Sequence, residues 1–373
     1  MNPDVDLLPQ DADHARSLAA RFYVDATMPT FDRHAIFDHA WHLVAHVCQM
    51  QHPGDHVIAD LAGLPVIAVR GADGEIRVMH NVCRHRAGPI AQCDGLAAKS
   101  LRCRYHGWTY ALDGSLKSAP EMQTAEDFRV EDIRLPQLHV RLWQGLVFAS
   151  SGDDASGSNA SSFDALVAGI DTRLGTTRGL ADYGHHQRVG YDVACNWKVY
   201  VDNYLEGYHL PHVHPALNRM LDYRSYVTET HGWHSLQWSP LRTSDDGSSN
   251  TLYGDGDALY YWLWPNTMLN ILPGRLQTNR IVPKGMDRCR VEFDFYYAPV
   301  QSGMDDSGQA RARREADLQF SDEVQHEDLG ICEDVQRGLA SGSYAPGRLN
   351  PLRENAVHHF HELLRRAYRE AMA

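Results

Sequence analysis

"CRHRAGPIAQCDGLAAKSLRCRYHGWTY", Cys83–Tyr110, holds two cysteines and two histidines in two short clusters, Cys83-x-His85 and Cys103-x-x-His106. Metal ligation needs lone pairs brought together from backbone segments that can be held close. Tight-turn residues follow each cluster, Ala87-Gly88-Pro89 after the first and Gly107 after the second. Two metal readings fit these residue types. A structural zinc ion takes a Cys2His2 set, although zinc knuckles usually pair cysteines within one loop. A two-iron cluster whose irons take different ligands suits loops that each contribute one thiolate and one imidazole. The bland alternative is chance placement among the 22 histidines of the chain.

The flanks of this stretch are β-rich. "HLVAHVCQM", "HVIADLA", "LPVIAVRG" and "EIRVMHNV" precede it, broken by "HPGD", "AGL" and "GADGE". "ALDGSLKS" carries an Asp-Gly hairpin signal, and "HVRLWQGLVFASS" closes the β region near residue 151. "SGDDASGSNASS" then has a linker's composition. Before the β region, "HARSLAARFYV" and "RHAIFDHAW" place apolar residues at helical spacing, so residues 12 to 38 are expected to be helical. After the linker, "RCRVEFDFYYAPV" alternates Val291, Phe293, Phe295 and Tyr297 on one face, the pattern of a half-buried strand. Ala310–Ala340 has helical spacing, and Leu352–Met372 reads as an amphipathic helix.

The bulk numbers bound the function. At 373 residues the chain suits two domains, and 43% hydrophobic content suits large cores. A net charge of −13 argues against a nucleic-acid partner. Acids occupy the first residues where a signal peptide would carry Lys or Arg, and the apolar runs are far too short to cross a bilayer. The expectation is a cytoplasmic protein with no membrane association. Seven cysteines, an odd number in a long chain, make no disulfide framework. Cys48, Cys93, Cys195, Cys289 and Cys332 are expected to be ordinary packing residues.

A second constellation, "NWKVYVDNYLEGYHLPHVHP", spans Asn196–Pro215 and offers His209, His212 and His214 behind Asp202 and Glu206. A mononuclear ferrous oxygenase site needs two histidines and one carboxylate on one octahedral face, with positions left for O2. Pro211 interrupts regular helix, so spacing alone does not rank the histidine pairs.

Taken together, C-x-H-x17-C-x-x-H followed by Gly107-Trp108, and the N-W-K…(D/E)-x-x-H-x4-H-P pattern, resemble the Rieske non-haem iron oxygenases, catalytic α subunit. The resemblance covers nearly the whole chain. It implies an α+β fold: a small β-rich Rieske domain plus a larger α+β catalytic domain with an antiparallel sheet flanked by helices. The implied division is an N-terminal helical segment over 1–38, the Rieske domain over 39–151, a linker over 152–162 and the catalytic domain over 163–373.

By the same resemblance Cys83 and Cys103 hold one iron of a [2Fe–2S] cluster and His85 and His106 the other, with Tyr105 and Trp108 beside them. His209 and His214 would bind mononuclear Fe(II), His212 falling in the gap as a pocket-lining or supporting residue. Asp328 in "SDEVQHEDLGICEDVQRGL" matches the acid that completes the triad; Glu327 is the neighbour most easily confused with it, and Asp322 the weaker alternative. Glu206 is implied to bridge His209 and His106 of an adjacent subunit, which implies a homotrimer. Asn203 and Asp202 are supporting candidates. Electrons would come from a separate flavin/iron–sulfur NAD(P)H-dependent reductase, and O2 and a small molecule would be the substrates.

Glu in place of Asp at position 206, and "LYYWLWPNTMLNILPGRLQTNRIVPKG", are similar to the branch that oxidises quaternary amines and betaines. There Tyr260, Tyr261, Trp262 and Trp264 offer aromatic faces for a methylammonium group. Arg275 and Lys284 offer charge to a carboxylate, although solvated surface is the commoner fate of such residues. The expected reaction is hydroxylation or N-demethylation of a quaternary ammonium or betaine compound. The alternatives are hydroxylation or O-demethylation of an aromatic acid, and a Rieske electron carrier without oxygen chemistry.

Overall fold

Short apolar runs between His42 and Ser150 form strands, and the turn residues between them set where each strand stops. A computed structural model describes residues 4–152, 162–175, 179–242, 252–299 and 308–373. The linker expected over 152–162 lies almost wholly outside the described residues. The chain forms two compact units, one from Phe37–Phe163 with Gly179–His185, the other from Met1–Ile36, Asp164–Arg178 and His186–Ala373.

In the first unit the strands are β1 (His42–His46), β2 (His56–Leu61), β3 (Leu64–Arg70), β4 (Ile76–His80), β5 (Leu101–Arg102), β6 (Thr109–Tyr110), β7 (Leu116–Ser118), β8 (His139–Trp143) and β9 (Leu146–Ser150). They pair antiparallel in the orders β1-β9-β8, β2-β3-β4 and β5-β6-β7. Asp113-Gly114 makes the expected turn between β6 and β7, with the Asp113 carboxylate accepting from Ser115 N at 3.0 Å. Gln144 and Gly145, at φ 50° and 79°, join β8 to β9 in the doubly left-handed geometry that matches strand twist. β3 is buried on both faces. Val66 and Ala68 pack with Val44, Val147 and Ala149, while Ile67 and Val69 pack with Leu101, Trp108 and Tyr110. The second of these cores carries Cys83 and Cys103, so the metal-ligand candidates grow directly out of packed apolar residues.

The second unit is built on seven strands, β10 (Gly184–Val193), β11 (Val227–Thr230), β12 (His234–Pro240), β13 (Asp257–Leu263), β14 (Thr267–Leu272), β15 (Arg275–Pro283) and β16 (Cys289–Tyr297), in the order β10-β16-β15-β14-β13-β12-β11. Pairing from β11 through β16 is antiparallel throughout. The helices in chain order are α1 (Arg21–Val24), α2 (Met28–Ala35), α3 (Phe163–Leu166), α4 (Ile170–Leu174), α5 (Trp197–Tyr204), α6 (Leu210–Val213), α7 (Pro215–Met220), α8 (Gly308–Ala340) and α9 (Asn355–Met372). The fold is α+β. Among the described residues, no helix is long and apolar enough to cross a membrane.

Three expectations change. Ala15–Ala20 is not helical: Arg16 pairs as an isolated bridge with Arg348, and Ala15 O accepts from Leu349 N at 3.1 Å, so tertiary pairing replaces helix. β16 is not half-buried along its length, because Asp294 and Tyr296 on its second face are also buried. Arg188 explains the aspartate, donating to Asp294 from Nε at 2.9 Å. Finally α9 begins at Asn355, three residues later than expected; Leu352 is left in an exposed turn.

Candidate active site

Asn196, Trp197 and Lys198 anchor the element that carries the second constellation. The Asn196 side chain caps α5, accepting from Lys198 N at 3.0 Å while donating to Tyr23 O and Met286 O. Trp197 Nε1 and Lys198 Nζ both donate to the buried Asp32 carboxylate, which also accepts from Tyr368 OH at 2.6 Å. A lysine with no solvent contact needs such a partner, since an unpaired buried charge costs several kcal/mol.

α5 ends at Tyr204, and after Leu205 the chain turns through Glu206 and Gly207. A Cβ on Gly207 would sit 2.7 Å from the Tyr226 ring, so close approach excludes a side chain there. Glu206 holds the turn: Oε2 accepts from Tyr208 N and His209 N, and Oε1 meets His209 Nδ1 at 2.6 Å. His209 then caps α6, and His214 falls between α6 and α7 because Pro215 restarts the helix. The two imidazoles lie 5.0 Å apart, inclined by 72°.

From α8, Asp328 completes the group. Its Oδ1 is 3.0 Å from His214 Nε2 and 3.9 Å from His209 Nε2, and it accepts from Asn203 Nδ2 at 2.6 Å. Both rings therefore turn Nε2 inward and Nδ1 outward. Among the described residues, His209, His214 and Asp328 are the one group of three or more His, Cys, Asp or Glu whose ligand atoms all lie within 4.8 Å of one another. Two imidazoles and a carboxylate are the donor set of a ferrous oxygenase site, so these residues fit the metal. Burial works to lower the His214 pKa, but hydrogen bonds and charge from Asp328 and Glu327 outweigh it and leave the group above its ordinary value.

A cavity adjoins this group. Tyr200, Tyr204, Tyr226, Tyr253, Tyr260 and Phe293 contribute aromatic surface to its wall, with Gln237, Asn270, Gln277 and Asn279 between them. Four phenols are already committed to protein acceptors: Tyr200 to Gln325, Tyr204 to Asn270, Tyr226 to Gln237 and Tyr253 to Asp317. What these residues offer a ligand is the ring. Arg275 is the one Lys or Arg on the wall among the described residues, and it is ion-paired through Nε to Asp317 at 2.8 Å.

Of the substrate residues expected from sequence, Tyr260 lines this cavity. Trp262 and Trp264 do not: both are buried against Phe360 of α9, at ring distances of 5.3 and 6.1 Å, so they are core aromatics. Tyr261 is also buried outside the wall. Arg275 is buried rather than solvated, while Lys284 is exposed and away from the cavity. His212 is exposed and Asp322 accepts from Tyr191 OH, so neither joins the group. Asp202 faces His361 and Tyr23 instead. Sequence reading passed over Tyr200 and Tyr204, although their i, i+4 spacing on α5, just ahead of Glu206, carried the signal.

The first constellation folds as two matching turns. Cys83 N donates to Gly88 O at 2.8 Å and Ala87 N to Cys83 O at 3.0 Å; Cys103 N donates to Trp108 O at 2.9 Å and Gly107 N to Cys103 O at 3.0 Å. In each, the fourth residue after Cys is left-handed, Ala87 at φ 57° and Gly107 at 76°. Cys83 and Cys103 are buried, whereas His85 and His106 are exposed with ring centroids 4.7 Å apart. Trp108 stacks on His85 at 4.8 Å, and Tyr105 lies 3.8 Å from His106. Burial, followed by the neighbouring Cys83, lifts the Cys103 thiol above its usual range, and burial with the Cys83 contact does the same to Tyr110. A Cβ on Gly88 would lie 3.1 Å from Cys103 Sγ, so that glycine keeps the sulfur's surroundings open. Two buried thiols and two neighbouring exposed imidazoles fit a two-iron cluster whose irons take different ligands.

Comparison with known proteins gives the same reading. Residues 40–135 match the Rieske [2Fe-2S] domain, and residues 180–370 match the ring hydroxylating alpha subunit (catalytic domain). Choline monooxygenase, chloroplastic, of Arabidopsis thaliana is 34% identical over 362 residues, covering 94% of this chain and 83% of that protein. The carnitine monooxygenase oxygenase subunit of Escherichia coli (strain K12) is 27% identical, covering 95% of each chain. A solved quaternary ammonium Rieske monooxygenase, whose structure was described in terms of carnitine oxidation and inter-subunit electron transfer, superposes with a TM-score of 0.85 at 27% identity, covering 96% of this chain and 97% of that one. Domain matches that take in both constellations, and a relative above 30% identity along almost the whole chain, leave one conclusion: the protein belongs to the ring-hydroxylating α-subunit family and is a Rieske non-haem iron oxygenase, which carries a [2Fe–2S] cluster and mononuclear iron and draws electrons for O2 chemistry from a reductase.

Proposed function

We propose that this enzyme oxidises a small quaternary ammonium compound by hydroxylation or N-demethylation. The cavity carries the reading: tyrosine rings with committed hydroxyls adjoin His209, His214 and Asp328, and Arg275, the one wall Lys or Arg among the described residues, is paired. Such a surface stabilises a methylammonium group over ring faces, by about 0.5–2 kcal/mol per contact. The named activities of the choline and carnitine relatives support the same substrate class. An aromatic acid would need a cation for its carboxylate, and Arg275 Nε is already on Asp317.

In this reading His209, His214 and Asp328 hold the mononuclear iron, and Cys83, Cys103, His85 and His106 hold the cluster. When bound, the iron supplies O2 activation; one oxygen atom enters the substrate and the other leaves as water, with two electrons and two protons consumed. The chain's own residues set the stage. Asn203 fixes the Asp328 carboxylate, Glu206 fixes the His209 ring with Nε2 inward, and the tyrosines seat the cation beside that face. Glu206 is further read as the bridge to His106 of a neighbouring copy, in a homotrimer served by a flavin/iron–sulfur NAD(P)H-dependent reductase. The exposure of His85 and His106 supports the bridge. We assign residues 39–151, with Gly179–His185, to the cluster domain and the remainder of 163–373, with the segment 1–38, to catalysis.

The test is O2 uptake with reductase and NADH, using choline, carnitine, glycine betaine and benzoate as a panel. A quaternary ammonium compound is expected to stimulate uptake matched one-to-one by product, with formaldehyde released if a methyl is removed. Coupled turnover of benzoate and none of the ammonium compounds would reverse the assignment.

A further inference from the structure

We infer that Glu327 is the positioning residue for His214, and that Glu327-Asp328 acts as a two-residue clamp on that imidazole. The inference rests on the triad assigned above. His214 is 1% exposed, and α8 grips its ring at both nitrogens, Glu327 Oε2 at 2.7 Å from Nδ1 and Asp328 Oδ1 at 3.0 Å from Nε2. Successive helical residues project about 100° apart, so neighbours can reach opposite edges of one ring only when the ring lies across the helix face. The two acids therefore have different jobs. Asp328 faces both Nε2 atoms and Glu327 faces neither.

The arrangement repeats on the other ring, where Glu206 meets His209 Nδ1 at 2.6 Å. Each candidate histidine thus has one carboxylate on the nitrogen away from the metal position, Glu206 for His209 and Glu327 for His214, while Asn203 donates to Oδ1 of Asp328, the oxygen that faces both rings. A carboxylate on Nδ1–H holds the tautomer that leaves the Nε2 lone pair for the metal and raises its donor strength. The supports differ in origin. Glu206 is held by its own turn through backbone N–H groups, whereas Glu327 comes from another element 113 residues away and ties α8 to the His209–His214 segment.

The test uses the full chain with its cluster loaded and the mononuclear site emptied by a chelator. Fe(II), and Co(II) as a spectroscopic probe, are then titrated anaerobically. Glu327→Ala is expected to weaken Fe(II) binding by about 10- to 100-fold and to alter the Co(II) ligand-field bands. The cluster spectrum and the melting midpoint of the mononuclear-metal-free form should stay at wild-type values. Glu327→Gln, whose amide oxygen still accepts from Nδ1–H, should recover most of the affinity. Wild-type Fe(II) affinity in Glu327→Ala would overturn the inference, as would equal loss in Glu327→Gln or a fallen midpoint in the metal-free form. Asp328→Ala separates this inference from the triad beneath it. Weakened binding in Asp328→Ala with none in Glu327→Ala removes only the clamp; unchanged binding in Asp328→Ala removes the triad.

Discussion

The two metal regions of this chain are built on opposite plans. The cluster loops are local: all four ligand candidates fall between Cys83 and His106, each loop is one turn closed by its own backbone hydrogen bonds, and the cysteines extend a packed β core. The proposed mononuclear site is assembled at long range, since Asp328 reaches His214 across 114 residues of sequence. A local site is written in spacing, because a turn fixes which side chains meet. A long-range site depends on how a helix docks, and an acidic helix face carries the same residue types whether it ligates or is merely solvated.

The two sites should therefore fail independently, and the largest expected effects test that. His106→Ala should abolish the visible cluster spectrum and turnover while mononuclear iron still binds. Asp328→Ala should lower mononuclear iron and activity by about 100-fold or more while the spectrum persists. Co-expressing these two chains should recover turnover if the cluster of one copy serves the iron of another. Absence of recovery, with mixed oligomers demonstrated by mass spectrometry, would confine electron transfer to a single chain and remove the role given to Glu206.

A smaller effect is expected where the proposal links the regions. Glu206→Gln keeps the size but loses one acceptor oxygen, so both metals should load while cluster oxidation, followed by stopped-flow with O2 and substrate, slows by about 10- to 100-fold. A wild-type rate at full iron content would leave Glu206 as support for His209 alone. Smaller again, Tyr260→Leu should raise KM for a quaternary ammonium substrate by about 10-fold with kcat much less changed, the worth of one desolvated cation–π contact. An unchanged KM would move the cation to another part of the wall.

The last prediction concerns stability in each region. Burial pushes His46 in the cluster unit and His234 in the sheet unit down to about 4, against partial support from the carbonyls of Leu180 and Leu166. An unfolded histidine titrates near 6.5, so below that pH the unfolded chain takes up protons that the folded chain refuses until about 4. The contribution is complete above pH 6.5 and is lost progressively toward pH 4, amounting to about 2 kcal/mol per histidine by pH 5. Melting curves at pH 7.5 and 5.0 check the direction, and His46→Gln and His234→Gln should each flatten the dependence.

Sequence by itself determined the cluster-loop spacing, the β-rich character of their domain and the two long C-terminal helices, and the family motif named His209, His214 and Asp328, whose ligand atoms the fold brings within 4.8 Å of one another. The loops, strands and helices follow from local physics, through turn chemistry and the periodicity of apolar residues, whereas the choice of His209, His214 and Asp328 came from the resemblance to a family motif and not from spacing. Only the tertiary structure decided which aromatics face the cavity. Tyr260 and Trp262 share one face of β13, yet Phe360 of α9 covers Trp262 and leaves Tyr260 open, and strand alternation holds no record of what packs above it. The same holds for Glu327 and Asp328. Adjacent acids on a helix are indistinguishable in sequence, and their separate jobs appear only when the His214 ring is laid between them. Arg275 and Asp317 likewise look like ordinary surface charges until folding buries them against one another, because pairing across 42 residues is a property of docked elements and not of either segment alone.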